Sequence, residues 1–552
     1  MTTTRFGMAA VVAAWVVAGV GVTSKDAPPR IVDIVKAGHL EGVRALIAQH
    51  VDVNVPEADG TTALHWAVRA DDLSTASLLI RAGANVSVAN RYGITPLALA
   101  AINGNAAIIE TLLQAGANPN TTLREGETVL MRAARTGRAD AVQTLLAHGA
   151  DVNARESWQG QTALMWAAAA NHADAVQTLI DWGADLDARA NRLGDKPKQE
   201  GIDDRTQKDG AAVDAMSFTY SKGGLTPLLF ASREGALGSA RALLIGGADP
   251  NLADPDGITP LVLAIINGHY DTAALLIDAG VDLNTVDTDG RTALYAAVDM
   301  HTLGWTLNRP APPLRDGRYD SLDIVRLLLD KGASANPRLA RAVRPRKILV
   351  FGIDILTAGA TPLLRAATQT DLPVLHALLE HGADPNLTTG HQATALMLAA
   401  GLGWKDVYSQ GTDADAIEFM KVCLSRGADI NATDENGQTA LHGAAQRGSP
   451  SVIDFLISRG ARLDVKNRQN RTPLDEALAY FPPREPAAVR LRELMTARGI
   501  PIEPPKRTGP RCCGGCDCTK DLKPPDQKDE SNGATSKADK SAPPPSVAGE
   551  RR

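Results

Sequence analysis

Four thiols fall within seven residues near the C-terminal end, at Cys512, Cys513, Cys516 and Cys518. Thiolates are soft ligands, and the Cys513-Gly514-Gly515-Cys516 spacing suits two bonds to one zinc ion. A structural zinc site usually closes its tetrahedron with a second ligand pair elsewhere, whereas here every candidate crowds one segment. In an oxidising compartment the same thiols would form disulfides within or between chains. Haem attachment is not supported, because Asp517 follows the second cysteine of the pair where a histidine is required. Metal, thiol chemistry and no specific role all stay open for the cluster. Cys423, by contrast, lies on an apolar helical face and is expected in the core.

No other residue set has a reactive spacing. The chain holds no G-x-x-x-x-G-K-[ST] phosphate loop, no H-E-x-x-H and no G-x-S-x-G. No two histidines are spaced as a metal pair on one helix. Acidic residues occur singly on polar faces, as turns and caps use them. No cofactor is expected, and the chain does not read as an enzyme. Its net charge of −6 leaves no broad basic excess to attract nucleic acid or an anionic membrane.

What the sequence does carry is a ladder. Thr62, Thr95, Thr128, Thr162, Thr226, Thr259, Thr292, Thr361, Thr394, Thr439 and Thr472 recur with a basic step of 33 residues. Each can cap a short helix, accepting from the free N–H groups of its first turn. Proline follows at Pro96, Pro227, Pro260, Pro362 and Pro473, where a missing N–H costs nothing. Glycine stands two before many of them, as at Gly257 and Gly290. After Thr439, Leu441, Ala444 and Ala445 form one apolar face, Gly448 allows a reversal, and Val452, Ile453, Leu456 and Ile457 face a second helix. Gly460 ends it in a left-handed conformation.

A period of about 33 residues with a T-P-L-H-like opening resembles the ankyrin-repeat family, from roughly Arg30 to Gly499. The resemblance implies a mainly α solenoid of about twelve helix-turn-helix units with β-turn fingers. It also implies that His65 and His442, three after their threonines, link neighbouring turns by hydrogen bonds. Signal-bearing relatives of this kind are most familiar as bacterial periplasmic or secreted proteins. That location, a monomer and an unknown protein partner are the expectations.

Residues 1–24 read as a signal peptide or an N-terminal anchor, because Arg5 precedes an unbroken apolar run from Phe6 to Val22. Residues 30–58 form an N-terminal capping repeat that keeps only the second half of the pattern. Ankyrin-like units then occupy 59–188, 224–336 and 359–499. The ladder is interrupted by inserted loops at 189–223, 301–320, 337–358 and 404–413. Residues 500–552 lack large apolar side chains and should be disordered.

In such a stack, recognition uses the finger tips and the exposed side of the first helices. Positions three and four before a threonine lie on fingers, and those seven and eight after it on inner helices. They give Arg69, Arg91, Tyr92, Arg135, Trp158, Gln159, Arg233 and Glu234 as candidate protein-binding residues, with Gln446 and Arg447 in the same register. Arginine and aromatic side chains dominate binding hot spots. Trp66 and Trp166, four after their threonines, are expected in the core. Two alternatives stand beside a non-catalytic scaffold: an accessory or protective subunit of a redox or metal enzyme acting through the tail thiols, and an enzyme with its site in the inserted loops.

Overall fold

The computed structural model describes residues 30–192, 223–302, 317–341, 356–404, 411–479 and 484–502. The leader at 1–24, the tail thiols Cys512, Cys513, Cys516 and Cys518, and most of each inserted loop lie outside these residues. Among the described residues there are twenty-four α-helices and no strand, only isolated bridges such as Thr122 with Thr128. The helices pair into twelve units. The first joins Ile31–Lys36 to Leu40–Ala48, and the last joins Pro473–Ala479 to Glu485–Ala497. The chain is an ankyrin-type solenoid.

The ladder threonines start the first helices as side-chain caps. At Thr95, Thr128, Thr162, Thr226, Thr259, Thr361 and Thr394 the hydroxyl accepts the N–H three residues on. The leucine two after each threonine, from Leu64 to Leu474, is buried in every unit. Alanines on the same helices are equally buried, and their small size lets successive helix pairs approach closely.

Two sets of polar bonds fix one unit on the next, and a third orders the finger itself. At the fingers, backbone N–H groups reach the preceding finger, as from Arg91 to the Asp59 carbonyl (2.8 Å) and from Arg468 to Asn436 (2.8 Å). At the opposite end an asparagine spans the gap. The Asn120 amide donates to the Gly149 carbonyl (3.0 Å) and its oxygen accepts from the Asp151 N–H (2.8 Å). Asn54, Asn153, Asn336 and Asn431 repeat the device. In five fingers the residue five before the threonine, Asn90, Asp254, Asp287, Asp434 or Asn467, accepts two N–H groups of its own turn, as Asp254 does from Asp256 and Ile258.

These bonds carry across the insertions. Asp187 accepts from the N–H of Asp249 (3.1 Å), and Asn284 accepts from that of Ser334 (2.8 Å). The stack therefore continues past residues 193–222, whose two ends meet as a bridge between Arg192 and Gly223. Similarly, Leu339 donates to the Ala360 carbonyl (3.0 Å), bringing together the ends of the segment between them. In the eighth unit the first helix runs to Thr302 and the second starts at Ser321.

His65 and His442 do link neighbouring units. His65 Nε2 donates to the Ile94 carbonyl (3.0 Å), so Nδ1 carries the lone pair that accepts the Thr62 N–H (3.2 Å). His442 bridges Arg471 and Thr439 in the same way (3.1 Å each). Burial lowers both imidazole pKa values below the usual histidine range. A buried neutral histidine binds fewer protons folded than unfolded, so stability should be complete above the unfolded pKa of about 6.5 and fall as pH drops below it. Melting curves between pH 7.5 and 5.5 should show this slope in the wild type and a shallower one in His65→Gln/His442→Gln. Equal slopes would mean the two histidines do not contribute.

Candidate protein-binding site

One face of the stack is lined by fingers and first helices, and most of the candidate residues lie exposed on it. Arg69, Arg91, Tyr92, Arg135, Trp158 and Glu234 are exposed, while Gln159 and Arg233 are half-buried. Trp158 has 54% of its surface in water although it is a tryptophan. Its finger is well ordered by Glu156, whose carboxylate accepts the N–H groups of Trp158, Gln159 and Gln161. Arg91 covers the Tyr92 ring at 4.8 Å and donates to its hydroxyl, so those two side chains hold each other.

Trp66 and Trp166 are not core residues. Both are half-buried, each packed against the core on one side and leaving part of its ring at the surface, whereas Leu263, Arg365 and Leu398 at the same position are fully buried. Trp66 donates to Glu57 (2.6 Å), with Lys36 4.3 Å and Arg69 5.1 Å from its ring centre. Trp166 has Arg135 of the preceding unit 5.4 Å from its centre. Phe230, at the same position one unit later, has Arg233 at 5.0 Å.

Between Trp166 and Phe230 the face opens into a groove of about 340 Å³, lined by Arg135, Gln161, Met165, Trp166, Ala169, Ala170, Phe230, Arg233 and Glu234. The sequence explains why it is here. Seven and eight after the threonine stand Arg69-Ala70, Ile102-Asn103, Arg135-Thr136 and Arg233-Glu234 in neighbouring units, but Ala169-Ala170 in this one. Two methyl groups replace larger side chains, and the space between two aromatic residues stays empty. The helix ends carrying both arginines are fixed by the next unit. His172 Nε2 donates to the Arg135 carbonyl and His269 Nε2 to the Arg233 carbonyl, each at 3.0 Å. Gly137 and Gly235 lie beneath these imidazoles, at φ near +70°, where a Cβ would stand 2.3 Å from the ring.

Arg135, Arg233 and Glu234 of this groove follow from the threonine register. Trp166, Phe230, Gln161 and Met165 do not, since aromatic and aliphatic residues at helical spacing read first as core. The usable signal was the run Ala167 to Ala170, where small residues leave one register position unfilled.

Further along, Arg447 is buried and stacks 4.1 Å from the Trp404 ring while donating to Asp413 (3.0 Å). Like Gln446, whose side-chain oxygen accepts the Gly403 N–H (3.0 Å), it serves the packing of its own stack. Cys423 is fully buried, and burial pushes its thiol up to about 12, so it is not a nucleophile. Among the described residues no group of His, Cys, Asp or Glu could hold a metal ion, and no helix is long and apolar enough to cross a membrane.

A repeat stack with an arginine- and aromatic-lined face is a protein-interaction scaffold. The family models for ankyrin repeats agree: one described as "Ankyrin repeats (3 copies)" matches residues 31–123, 115–190, 228–339 and 407–491, and a single-repeat model matches 358–387. The chain belongs to the ankyrin-repeat family. Similar curated proteins include palmitoyltransferase ZDHHC13 of Homo sapiens, 30% identical over 180 residues, covering 28% of this chain and 26% of that one. Ankyrin repeat and SOCS box protein 16 of Homo sapiens is 34% identical over 174 residues, covering 28% and 37%. The match thus spans about a quarter to somewhat over a third of these relatives' own length. Among solved structures, the human ASB11 ankyrin repeat domain is 24% identical, with 46% of this chain and 99% of that one covered at a TM-score of 0.36.

Proposed function

We propose that this protein is a non-catalytic, exported scaffold that binds a partner protein on its finger and first-helix face. The observation that carries the reading is the run on neighbouring units of exposed Trp158 and Arg135 and half-buried Trp166 and Arg233, with buried Phe230 closing the groove beside them. Such side chains give large contact area at low entropy cost and dominate measured interface energies. An open groove on a solenoid also suits recognition better than chemistry, which gains from a closed, water-excluded site. Export, to a bacterial periplasm or beyond, is supported by the Phe6 to Val22 run and is tested by N-terminal sequencing of protein recovered outside the cytoplasm.

The binding face is tested by affinity capture from the native source, comparing wild type with Trp158→Ala. The variant should lose about 2 kcal/mol of binding, roughly thirtyfold in affinity, with an unchanged melting temperature. A captured partner that holds both proteins equally well would place recognition elsewhere.

A further inference from the structure

From the groove between Trp166 and Phe230 we infer a ligand class: an extended acidic peptide segment of a partner protein, anchored by one leucine or phenylalanine. This rests on the scaffold reading above and adds what the face recognises. The groove is small. Its 340 Å³ lies at the lower end of ligand pockets, enough for one large apolar side chain and some adjoining backbone. Its walls, Ala169, Ala170, Trp166 and Phe230, are apolar, so the anchor is apolar too.

Charge decides the flanks. Arg233 is paired with Glu234 (2.8 Å), and Arg132 with Glu127. Arg135 stacks on Trp166 and has no carboxylate partner among the described residues. One positive charge at the rim therefore goes uncompensated, although the whole chain is acidic at −6. The same geometry disfavours a cationic ligand. Both aromatic residues already have an arginine near the ring, so a lysine or methylated lysine would meet like charge where it would seek a π face. Adjacent first helices lie about 8–10 Å apart. An extended chain covers that in about three residues, so the acidic residue facing Arg135 belongs about three positions from the anchor.

The test uses the full chain and fluorescein-labelled dodecapeptides of four kinds. One has a central Leu with Glu three positions before it, and one has Glu three positions after. The third has Lys in place of Glu, and the fourth has Ala in place of Leu. Anisotropy should show one of the two acidic Leu peptides binding at least tenfold more tightly than the Lys or Ala peptides, weakening several-fold in 0.5 M salt, where the screening length is about 4 Å. Arg135→Glu should remove the preference for acid. Ala169→Arg places in this unit the side chain that Arg69, Arg135 and Arg233 supply in others. It should abolish peptide binding and leave the melting temperature unchanged. Equal binding of acidic and basic peptides, or binding indifferent to both substitutions, overturns the inference. If the natural partner is lost with Trp158→Ala but unaffected by Ala169→Arg, the scaffold reading stands and the groove assignment falls. If neither substitution affects the partner, both fall.

Discussion

Asp299→Ala should destabilise the middle of the stack by about 3–5 kcal/mol, the usual cost of leaving a buried charge without its partner. Arg365 occupies the position four after its threonine and is only 2% exposed. Its Nε donates to Asp299 of the preceding unit at 2.6 Å, and its Nη1 to Thr368 at 2.7 Å. Removing the carboxylate leaves a guanidinium that burial prevents from reaching bulk water. Sister units show what the position tolerates, since Leu263 and Leu398 stand there instead. The double variant Asp299→Ala/Arg365→Leu should therefore recover most of the loss, because a buried ion pair is often replaceable by apolar packing. Urea denaturation of both variants decides it. A single variant costing under about 1 kcal/mol, or a double variant no better than the single, would show that the pair is solvated.

The second large effect lies in the apolar ladder. Leu261 is 1% exposed, two after Thr259, and packs within its own unit and against its neighbours. Leu261→Ala should cost about 2–5 kcal/mol through lost transfer and a residual cavity. Damage in a solenoid is local, because each unit touches only the next. Hydrogen exchange should accelerate around Thr226 to Thr302 while the helices at Ala63 and Pro473 keep their protection. Uniform acceleration along the chain would show that the stack unfolds as one unit. Gly257→Val should damage the same region from the finger side. Gly257 has φ +79°, and a Cβ there would lie 3.1 Å from the Cα of Asp287 on the next finger. The substitution therefore meets a strained backbone and a close neighbour together.

The repeat, its period and the helix pairs were determined by the sequence alone. Threonine caps, proline at the first helical position and the buried leucine two residues later are local devices, each acting within one turn of helix. Their effect is readable wherever they stand, and eleven copies in register leave little else to decide. The finger positions of Tyr92 and Trp158 followed by counting from the same threonines. The links between units were less legible. Asn120 is an ordinary loop residue in sequence, and becomes a bridge because stacking brings the Gly149 carbonyl to its amide. Trp166 shows the limit most clearly. Helical spacing places it on an apolar side of its helix, but only the neighbouring unit determines whether that side is covered. Here Arg135 stacks on it, while Ala169 and Ala170 are too small to fill the remaining space, so a residue expected in the core lines an open groove. Burial depends on what the next helix brings, and that is decided by tertiary packing.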